Sequence, residues 1–236
     1  MALLVNKFDY HELKRKTIEG KRHYLDSNGK AVPSVTTILS HMKDMTALNK
    51  WKKRVGASEA QRIVTESANL GTITHKHLEC FIEGVERPAG NNLIYKQAQK
   101  LSDIIIEKGM SDVDEVWAIE QSLCFPGLYA GTADMVCVHK NKPVIGDFKT
   151  SRQVKKREWV EDYFMQCAAY ALAHNELYGT SIDSGLIFIV SHSGEYQEFN
   201  VEGAEFQKYT DQWLNKVEQY YKTCLLYTSD AADDLL

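Results

Sequence analysis

The chain lacks the segments that would mark it as a membrane or secreted protein. It has no apolar run close to the ~20 residues that span a bilayer, so we expect no membrane-spanning helix and no membrane partner. Its first residues, MALLVNKFDYHELKRK, lack the long apolar core of a secretory signal, and Asp9 and Glu12 argue weakly against a mitochondrial transit peptide. With 44% hydrophobic and 25% charged residues over 236 positions, the composition predicts a soluble globular protein.

The cysteines lack the paired spacing of a metal or iron–sulfur site. They are Cys80, Cys124, Cys137, Cys167 and Cys224. None of them belongs to a C-x-x-C pair, which zinc and iron–sulfur sites normally contain. We therefore expect no iron–sulfur cluster and predict reduced cysteines that fill apolar space in a reducing compartment.

The segment GTADMVCVHKNKPVIGDFKTS predicts two adjacent strands that carry opposite charges. Side chains at i and i+2 share one face of a strand, so Asp147 and Lys149 project together while Phe148 points into a core. The intervening HKNK run can turn the chain and bring Asp134 beside Asp147. Two carboxylates suit Mg²⁺, and a neighbouring lysine can orient an attacking water or neutralise charge on a phosphate. A surface ion pair is the alternative, but unpaired charge in apolar strands is costly.

A histidine and a glutamate four positions apart lie in a segment that predicts a helix. His75 and Glu79 share one face of that helix, whereas His77 is rotated away. A helical histidine is by itself more often a core or surface residue than a metal ligand. In combination with the two aspartates, His75 becomes a candidate ligand, and Glu79 is a less secure one.

Three more polar residues are candidates for supporting this site. Gln166 and Tyr170 are i and i+4 on a predicted amphipathic helix. A glutamine facing the sheet would need partners there, so the pair could order the lysine or contact a nucleotide; the alternative is an aromatic side chain that belongs to the core. Glu120, in AIEQSL, could add an outer oxygen to a metal site or could simply be exposed.

Basic residues are unevenly distributed, although the net charge of −4 does not indicate a nucleic-acid-binding protein. A basic run from Arg152 to Arg157 directly follows the Asp-Phe-Lys strand. Most such runs are solvated surface, but this position favours a phosphate-binding track. Trp51 and Arg54, in a second basic region, could stack on bases and grip phosphates, although a tryptophan is more often part of a core.

The order of predicted elements indicates a mixed α/β fold. Predicted helices cover about 57–83, 94–108, 158–177 and 203–222, and predicted strands about 116–125, 129–138, 143–150, 186–190 and 196–201. We expect a mixed sheet flanked by helices over residues 57–223. Before it, residues 1–56 predict an elaboration that contains a hairpin with a turn at Asn28-Gly29 and a helix following Pro33.

The last residues, LLYTSDAADDLL, differ in composition from the helix before them. They resemble the translated read-through of a sequencing adaptor. We predict that residues 224–236 are a non-native tail without function, and a natural frayed terminus is the alternative.

Four motifs in this order resemble the PD-(D/E)XK nuclease superfamily, in particular its RecB-type exonuclease branch. They are Gly71-Thr-x-x-His75, Gly131-Thr-Ala-Asp134, Asp147-Phe-Lys149-Thr-Ser and Gln166-x-x-x-Tyr170. The motif Pro33-Ser-Val-Thr-Thr-Ile-Leu39 and the Trp51 region are more specifically similar to the mitochondrial genome maintenance exonuclease and its bacteriophage relatives. The resemblance covers about residues 20–223. It implies a restriction-endonuclease-like core of order αβββαβ with a helical N-terminal elaboration.

The resemblance implies a metal-dependent deoxyribonuclease that hydrolyses phosphodiester bonds at DNA ends. His75, Asp134, Asp147 and the backbone carbonyl of Phe148 would hold one or two Mg²⁺ or Mn²⁺ ions. Lys149 would position the attacking water, so the catalytic set would be Asp134, Asp147 and Lys149. Related proteins can carry Glu at the position of Asp147, and the cysteine spacing of their iron–sulfur branches is not present here.

The remaining implied roles concern support and DNA contact. Gln166 and Tyr170 would complete the nucleotide-side wall, with Glu79 and Glu120 as further supporting residues. The residues implied to contact DNA are Thr150, Ser151, Arg152, Lys155, Lys156, Trp51 and Arg54. The expected partner is DNA, preferably single-stranded or flapped ends, in replication, recombination or repair.

Two other functions remain open at this point. A non-catalytic nucleic-acid-binding module on the same fold is one, although the intact Asp–Asp–Lys set argues against it. An endonuclease or junction resolvase on the same core is the other. The resemblance implies a cytoplasmic location in a bacterial or phage-infected cell, with mitochondria as the alternative.

Overall fold

A computed structural model describes the backbone of residues 4–41 and 43–233 and the side chains of residues 4–41 and 43–224. Its strands are β1 (Arg15–Ile18), β2 (Lys21–Leu25), β3 (Ala31–Pro33), β4 (Val113–Phe125), β5 (Tyr129–His139), β6 (Lys142–Ser151), β7 (Ser184–Ser191) and β8 (Tyr196–Glu202). Its α-helices are α1 (Val35–His41), α2 (Thr46–Val55), α3 (Ala57–Glu83), α4 (Leu93–Lys108), α5 (Glu161–Tyr178) and α6 (Gly203–Asp233).

The central sheet has five strands in the order β4-β5-β6-β7-β8. Neighbouring strands are antiparallel except β6 and β7, which are parallel. A parallel pair needs a long crossover, and α5 supplies it between these two strands. The predicted mixed α/β sheet flanked by helices is therefore present.

Each face of the sheet packs against a separate helical layer. On one face α5 and α6 cover a core that includes Tyr129 and the fully buried Trp213, whose rings meet edge to face at 4.8 Å. On the other face α3 and α4 cover a core in which Phe148 stacks on Phe188 with ring centroids 5.9 Å apart. Because both faces are covered, any polar group in the middle strands must find a partner inside the protein.

Helix boundaries follow the glycines that the sequence places after them. The helix α3 ends at Gly84 and α5 ends at Gly179, both in the left-handed conformation that satisfies the last helical carbonyls. The bounds of α3 coincide with the predicted helix over residues 57–83. The strand β4 begins earlier than predicted, at Val113.

The N-terminal elaboration contains the predicted hairpin with its turn at Asn28-Gly29, formed by β2 and β3, and it is less helical than the resemblance implies. It contains an antiparallel sheet of β1, β2 and β3 in addition to α1 and α2. The chain turns between β1 and β2 at Glu19 and Gly20, which both have positive φ as a two-residue hairpin turn requires. Buried Tyr24 of β2 attaches this sheet to the core, and its hydroxyl lies 3.2 Å from the Thr132 hydroxyl of β5.

The last helix extends beyond the predicted end near residue 222. The helix α6 continues to Asp233, and the added segment contains neither proline nor glycine to stop it. The non-native origin of residues 224–236 stays a prediction, and residues 234–236 lie outside the described part.

The cysteines occupy apolar surroundings and form no disulfide. Cys80, Cys124, Cys137 and Cys167 are buried, and Cys224 is half-buried. In the described part of the chain, no helix combines the length and apolarity needed to cross a bilayer.

A buried histidine on α5 is held in its neutral form. The Thr180 hydroxyl donates to Asn175, so it accepts from Nδ1 of His174 at 2.7 Å, and Nε2 then accepts from the Tyr10 hydroxyl at 2.8 Å. The ring is fully buried and also contacts Tyr178. Burial lowers the pKa of His174 to about 4.

This histidine should make the fold less stable in acid. Between its ordinary pKa of about 6.5 and the folded value, the unfolded chain binds the extra proton, so the free energy of unfolding falls as the pH decreases. From pH 7 to pH 5, His174 alone should remove about 2 kcal/mol. Urea unfolding of the protein and of His174→Gln at both pH values measures this, and an equal pH dependence of the two proteins would refute the assignment.

Candidate metal centre

The candidate site lies at a fork, the point at which β5 and β6 separate (Asp134, Met135, Gly146 and Asp147). Paired residues of the two strands end at Met135 and Gly146, beyond which β5 continues beside β4 and β6 continues beside β7. Past the fork, the backbone N–H of Phe148 donates to Oδ2 of Asp134 at 2.9 Å. A side-chain carboxylate thus takes the place of a backbone acceptor and points into the opening between the strands.

The side chains after the fork alternate as the strand pattern predicts. Phe148 points into the core beneath α3 and α4, so Asp147 and Lys149 project together on the other face. The Lys149 ammonium forms an ion pair with Oδ1 of Asp147 and lies 3.8 Å from Oδ2 of Asp134. The structure therefore brings both aspartates and the lysine into one group.

His75 reaches the same group from α3. Its Nε2 donates to the backbone carbonyl of Phe148 at 2.8 Å. Its Nδ1 lies 3.4 Å from a Glu120 oxygen and 3.6 Å from Oδ2 of Asp134. The backbone of one residue, Phe148, is consequently bonded through its N–H to the strand aspartate and through its C=O to the helix histidine.

Glu120 stands across the sheet from Asp134 in a strained conformation. The flanking pairs are Ile119 with Met135 and Gln121 with Ala133, which puts Glu120 opposite Asp134. Its φ is 48°, a left-handed value that is uncommon for a residue with a side chain and rarer inside a strand. The strain turns its carboxylate toward His75, and residues held in this way cluster at functional sites.

The donor atoms fit a divalent cation. One donor atom from each of His75, Glu120 and Asp134 lies within 4.8 Å of the others. Beside them, Oδ2 of Asp147 is buried and has no hydrogen-bond partner among the described residues. Carboxylate and carbonyl oxygens suit Mg²⁺ and Mn²⁺, and an imidazole is compatible with Mn²⁺ and other transition metals. Asp147 is not a member of that three-residue group, but it shares the Lys149 ammonium with Asp134.

The charged groups of the site shift one another's pKa values. Burial disfavours ionisation of Asp134, but the charges of His75 and Lys149 outweigh it and hold its pKa below the ordinary value. Burial raises the pKa of Asp147, and the Lys149 ammonium offsets this only in part. Burial opposes the charged form of His75, yet the Asp134 carboxylate raises its pKa to about 9. Protonated His75 and Lys149 thus supply positive charge that a divalent cation could replace.

The helix α5 closes the site from the opposite layer. Tyr170 is buried, and its side chain lies so close to Gly131 that a Cβ at that glycine would come within 2.7 Å of the tyrosine oxygen. The side-chain amide of Gln166 lies 3.5 Å from the Tyr170 hydroxyl, at the limit of a hydrogen bond. The predicted pair therefore packs behind the Asp134 strand, which explains the glycine of the Gly-Thr-Ala-Asp motif.

Sequence reasoning missed Tyr163, which lies directly over the lysine. The Lys149 ammonium is 5.1 Å from the centre of the Tyr163 ring, within the range of a cation–π contact. Tyr163, Gln166 and Tyr170 are at i, i+3 and i+7 on α5, so they share a helix face. That periodicity was the signal that could have added Tyr163 to the candidate set.

Glu79 lies at the edge of the site rather than within the ligand group. It pairs with Lys76 at 2.8 Å, and both line an open cavity of about 540 Å³ together with His75 and Glu120. The carboxylate can contribute negative charge to this cavity.

The residues proposed to contact DNA are in different environments. Arg152, Lys156 and Arg54 are exposed, Thr150, Lys155 and Trp51 are half-buried, and Ser151 is buried. The Ser151 hydroxyl donates to the Gln153 carbonyl at 2.5 Å, so it is already engaged within its own loop. Trp51 and Arg54 lie on α2, and among the described residues neither forms a hydrogen bond or ion pair with the aspartates.

Comparison with known proteins gives only distant likenesses. No protein-family model matches the chain, and no curated protein matches it. A crystal structure of a candidate exonuclease from Eubacterium rectale matches with a TM-score of 0.48 and 14% identity, over 68% of this chain and 66% of that one. The chain thus spans just under two thirds of that protein's length. A protein named SSO0001 matches with a TM-score of 0.36 and 14% identity, over 79% of this chain and 84% of its own. These matches do not establish a shared family or activity.

The strain at Glu120 reverses the usual preference of a strand for alanine over glycine. Glu120→Gly relieves the left-handed strain and Glu120→Ala retains it, so the glycine variant should be more stable by about 0.5 to 1 kcal/mol. At the neighbouring Gln121, where φ is not positive, the alanine variant should be the more stable by a similar amount. Urea unfolding of the four variants measures both differences. The same order at both positions would show that Glu120 is not strained.

Proposed function

We propose that this chain is a Mg²⁺- or Mn²⁺-dependent deoxyribonuclease that hydrolyses phosphodiester bonds at DNA ends. The observation that supports it best is the convergence at the fork of two aspartates, a lysine, a histidine and a backbone carbonyl. The motif resemblance to RecB-type PD-(D/E)XK nucleases gives the same chemistry. We place the chain, as part of this proposal, in that superfamily near the mitochondrial genome maintenance exonuclease and its bacteriophage relatives.

In this proposal His75, Asp134, Asp147 and the Phe148 carbonyl hold the cation, and Glu120 lies close enough to contribute. A bound divalent cation would lower the pKa of a water ligand and stabilise the negative charge that develops on the phosphate oxygens. Asp147 contributes an unpaired buried oxygen, which has more to gain from a cation than a solvated carboxylate would.

Lys149 is the residue that we propose to orient the attacking water. Its ammonium faces the Asp147 carboxylate and lies 3.3 Å from the Phe148 carbonyl, so two of its three N–H donors are directed at the protein. The third remains available for a water or a phosphate oxygen. The Tyr163 ring limits the positions that the ammonium can adopt, which favours one orientation of that donor.

The substrate is proposed to be DNA, with a preference for single-stranded or flapped ends, for use in replication, recombination or repair. The basic residues that immediately follow β6, Arg152, Lys155 and Lys156, support a polyanionic substrate next to the site. Residues 57–223 are the proposed nuclease core and residues 1–56 a possible DNA-contacting elaboration.

Cation binding can be tested without any substrate. Mg²⁺ or Mn²⁺ should raise the melting temperature, since a ligand at 100 times its Kd stabilises the folded state by about 2.7 kcal/mol. Asp147→Asn should lose this rise, because a neutral amide is a poor ligand, while its cation-free stability is retained. Asp183→Asn makes the same chemical change on the surface, where Asp183 pairs with Lys142, and should keep the full rise. An equal rise in both variants would contradict the metal centre.

Catalysis depends on Lys149 in this proposal. Lys149→Ala should fold and keep the cation-induced rise in melting temperature, yet lose cleavage by about 100-fold or more. A gel assay on end-labelled single-stranded DNA with Mg²⁺, Mn²⁺ or EDTA measures this. Lys142→Ala, at the other end of the same strand, should cleave normally. A fully active Lys149→Ala protein would overturn the mechanism.

The same assay separates the alternative functions. Labelling each DNA end in turn gives the polarity of digestion, and cutting of closed circular DNA would reveal an endonuclease, because an exonuclease requires an end. Metal-independent binding without cleavage in either metal would favour a non-catalytic binding module.

A further inference from the structure

The loop of residues 152–160 leaves the candidate site and returns to it. It begins just after Lys149 at the end of β6, and it leads into α5, whose Tyr163 covers that lysine. Both ends of the loop are therefore anchored beside the reacting group. The loop itself belongs to neither helical layer.

The backbone of this loop is tied to the protein at several points. Gln197 of β8 accepts from the Lys155 N–H at 2.7 Å and donates to the Lys155 carbonyl at 2.8 Å. Arg157 donates to both carboxylate oxygens of Glu205 at 3.0 and 2.6 Å. Val160 is fully buried. The exposed side chains of this loop are thus carried by a backbone that is held in place.

The fixed loop exposes a tryptophan beside a lysine. Trp159 has 52% of its surface exposed, whereas Trp117 and Trp213 are buried in the core. The Lys156 ammonium lies 5.4 Å from the centre of the Trp159 ring and 3.9 Å from the exposed Glu158 carboxylate, and Arg152 is exposed on the same loop. A single exposed aromatic side chain is not unusual by itself. Trp159 is distinguished by the lysine beside its ring and by its place on a loop that is bonded to β8 and α6.

We infer that a base of the single strand that occupies the site stacks on Trp159. Lys156 and Arg152 bind the phosphates of that strand. This inference rests on the proposed nuclease function. Single-strand-binding surfaces combine exposed aromatic rings with cations in this way, because every base offers a π face and every nucleotide a phosphate. The Lys156 ammonium beside the ring, with Arg152 and Lys155 on the same loop, favours a polyanionic strand over a protein surface.

The position of Trp159 suits a base close to the scissile bond. Trp159 and Tyr163 are four positions apart in the chain, so their Cα atoms are at most about 14 Å apart. That upper limit corresponds to at most about four nucleotides at the 3.4 Å rise of one stacked strand. A base that leaves its neighbours and stacks on Trp159 would therefore lie within a few nucleotides of the phosphate next to Lys149.

Fluorescence anisotropy tests this inference by measuring how the protein binds a short fluorescein-labelled single-stranded oligodeoxynucleotide. EDTA is present to prevent cleavage. Trp159→Ala should weaken binding about 5- to 100-fold, the loss expected for one base–aromatic stack. Trp159→Phe should keep most of the affinity, and Trp159→Leu should not, since leucine is apolar but has no π face. Lys156→Ala should reduce the slope of log K against log salt by about 0.7.

Leu177→Ala is the matched control, because Leu177 is also an exposed apolar residue and lies at the far end of α5. Leu177→Ala should bind the oligodeoxynucleotide as the unmodified chain does. Trp159→Ala should not change binding to blunt duplex DNA, because the bases of a duplex are stacked inside it.

Three results would overturn the inference. They are unchanged binding by Trp159→Ala, full binding by Trp159→Leu, and an absence of single-strand binding by the unmodified chain. Cleavage of DNA by the unmodified chain is measured separately with Mg²⁺. If cleavage is present, the nuclease proposal holds even when the inference on Trp159 fails; if cleavage is absent, both fail.

Discussion

The candidate site depends on Phe148. Its phenyl ring is buried beneath α3 and α4 and stacks on Phe188, which prevents the strand from rotating. The backbone N–H of the same residue donates to Asp134, and its carbonyl accepts from His75. The flanking Asp147 and Lys149 are then directed to the opposite face. Hydrophobic burial on one side of β6 thus positions the charged groups on the other side.

The site concentrates interactions that oppose folding. Two carboxylates are buried together, one of their oxygens has no partner among the described residues, and Glu120 adopts a left-handed backbone. Burying charge in this way is expensive unless a counter-charge is present. In the structure the counter-charges are Lys149 and His75. A cation that replaced part of that charge would relieve the same repulsion, so the stability cost and the proposed chemistry have one origin.

Three parts of the chain meet at the fork, although they are far apart in sequence. The helix α3 brings His75, the hairpin of β5 and β6 brings both aspartates, and α5 brings Tyr163. The loop of residues 152–160 connects the last two and is bonded to β8 and to Glu205 of α6. Both helical layers and the outer strand therefore support one small opening in the sheet.

Local rules were sufficient for much of this arrangement. Strand alternation predicted that Asp147 and Lys149 share a face, and glycines marked the ends of α3 and α5, because both effects depend on neighbouring residues alone. Other features arise from packing between distant segments. The left-handed Glu120, the place of Tyr163 over Lys149 and the N-terminal sheet docked by Tyr24 each require a partner more than a dozen residues away in the chain. The spacing of Tyr163, Gln166 and Tyr170 shows that they share a helix face, but which residues that face meets is decided only when the sheet register and the helix layers are set.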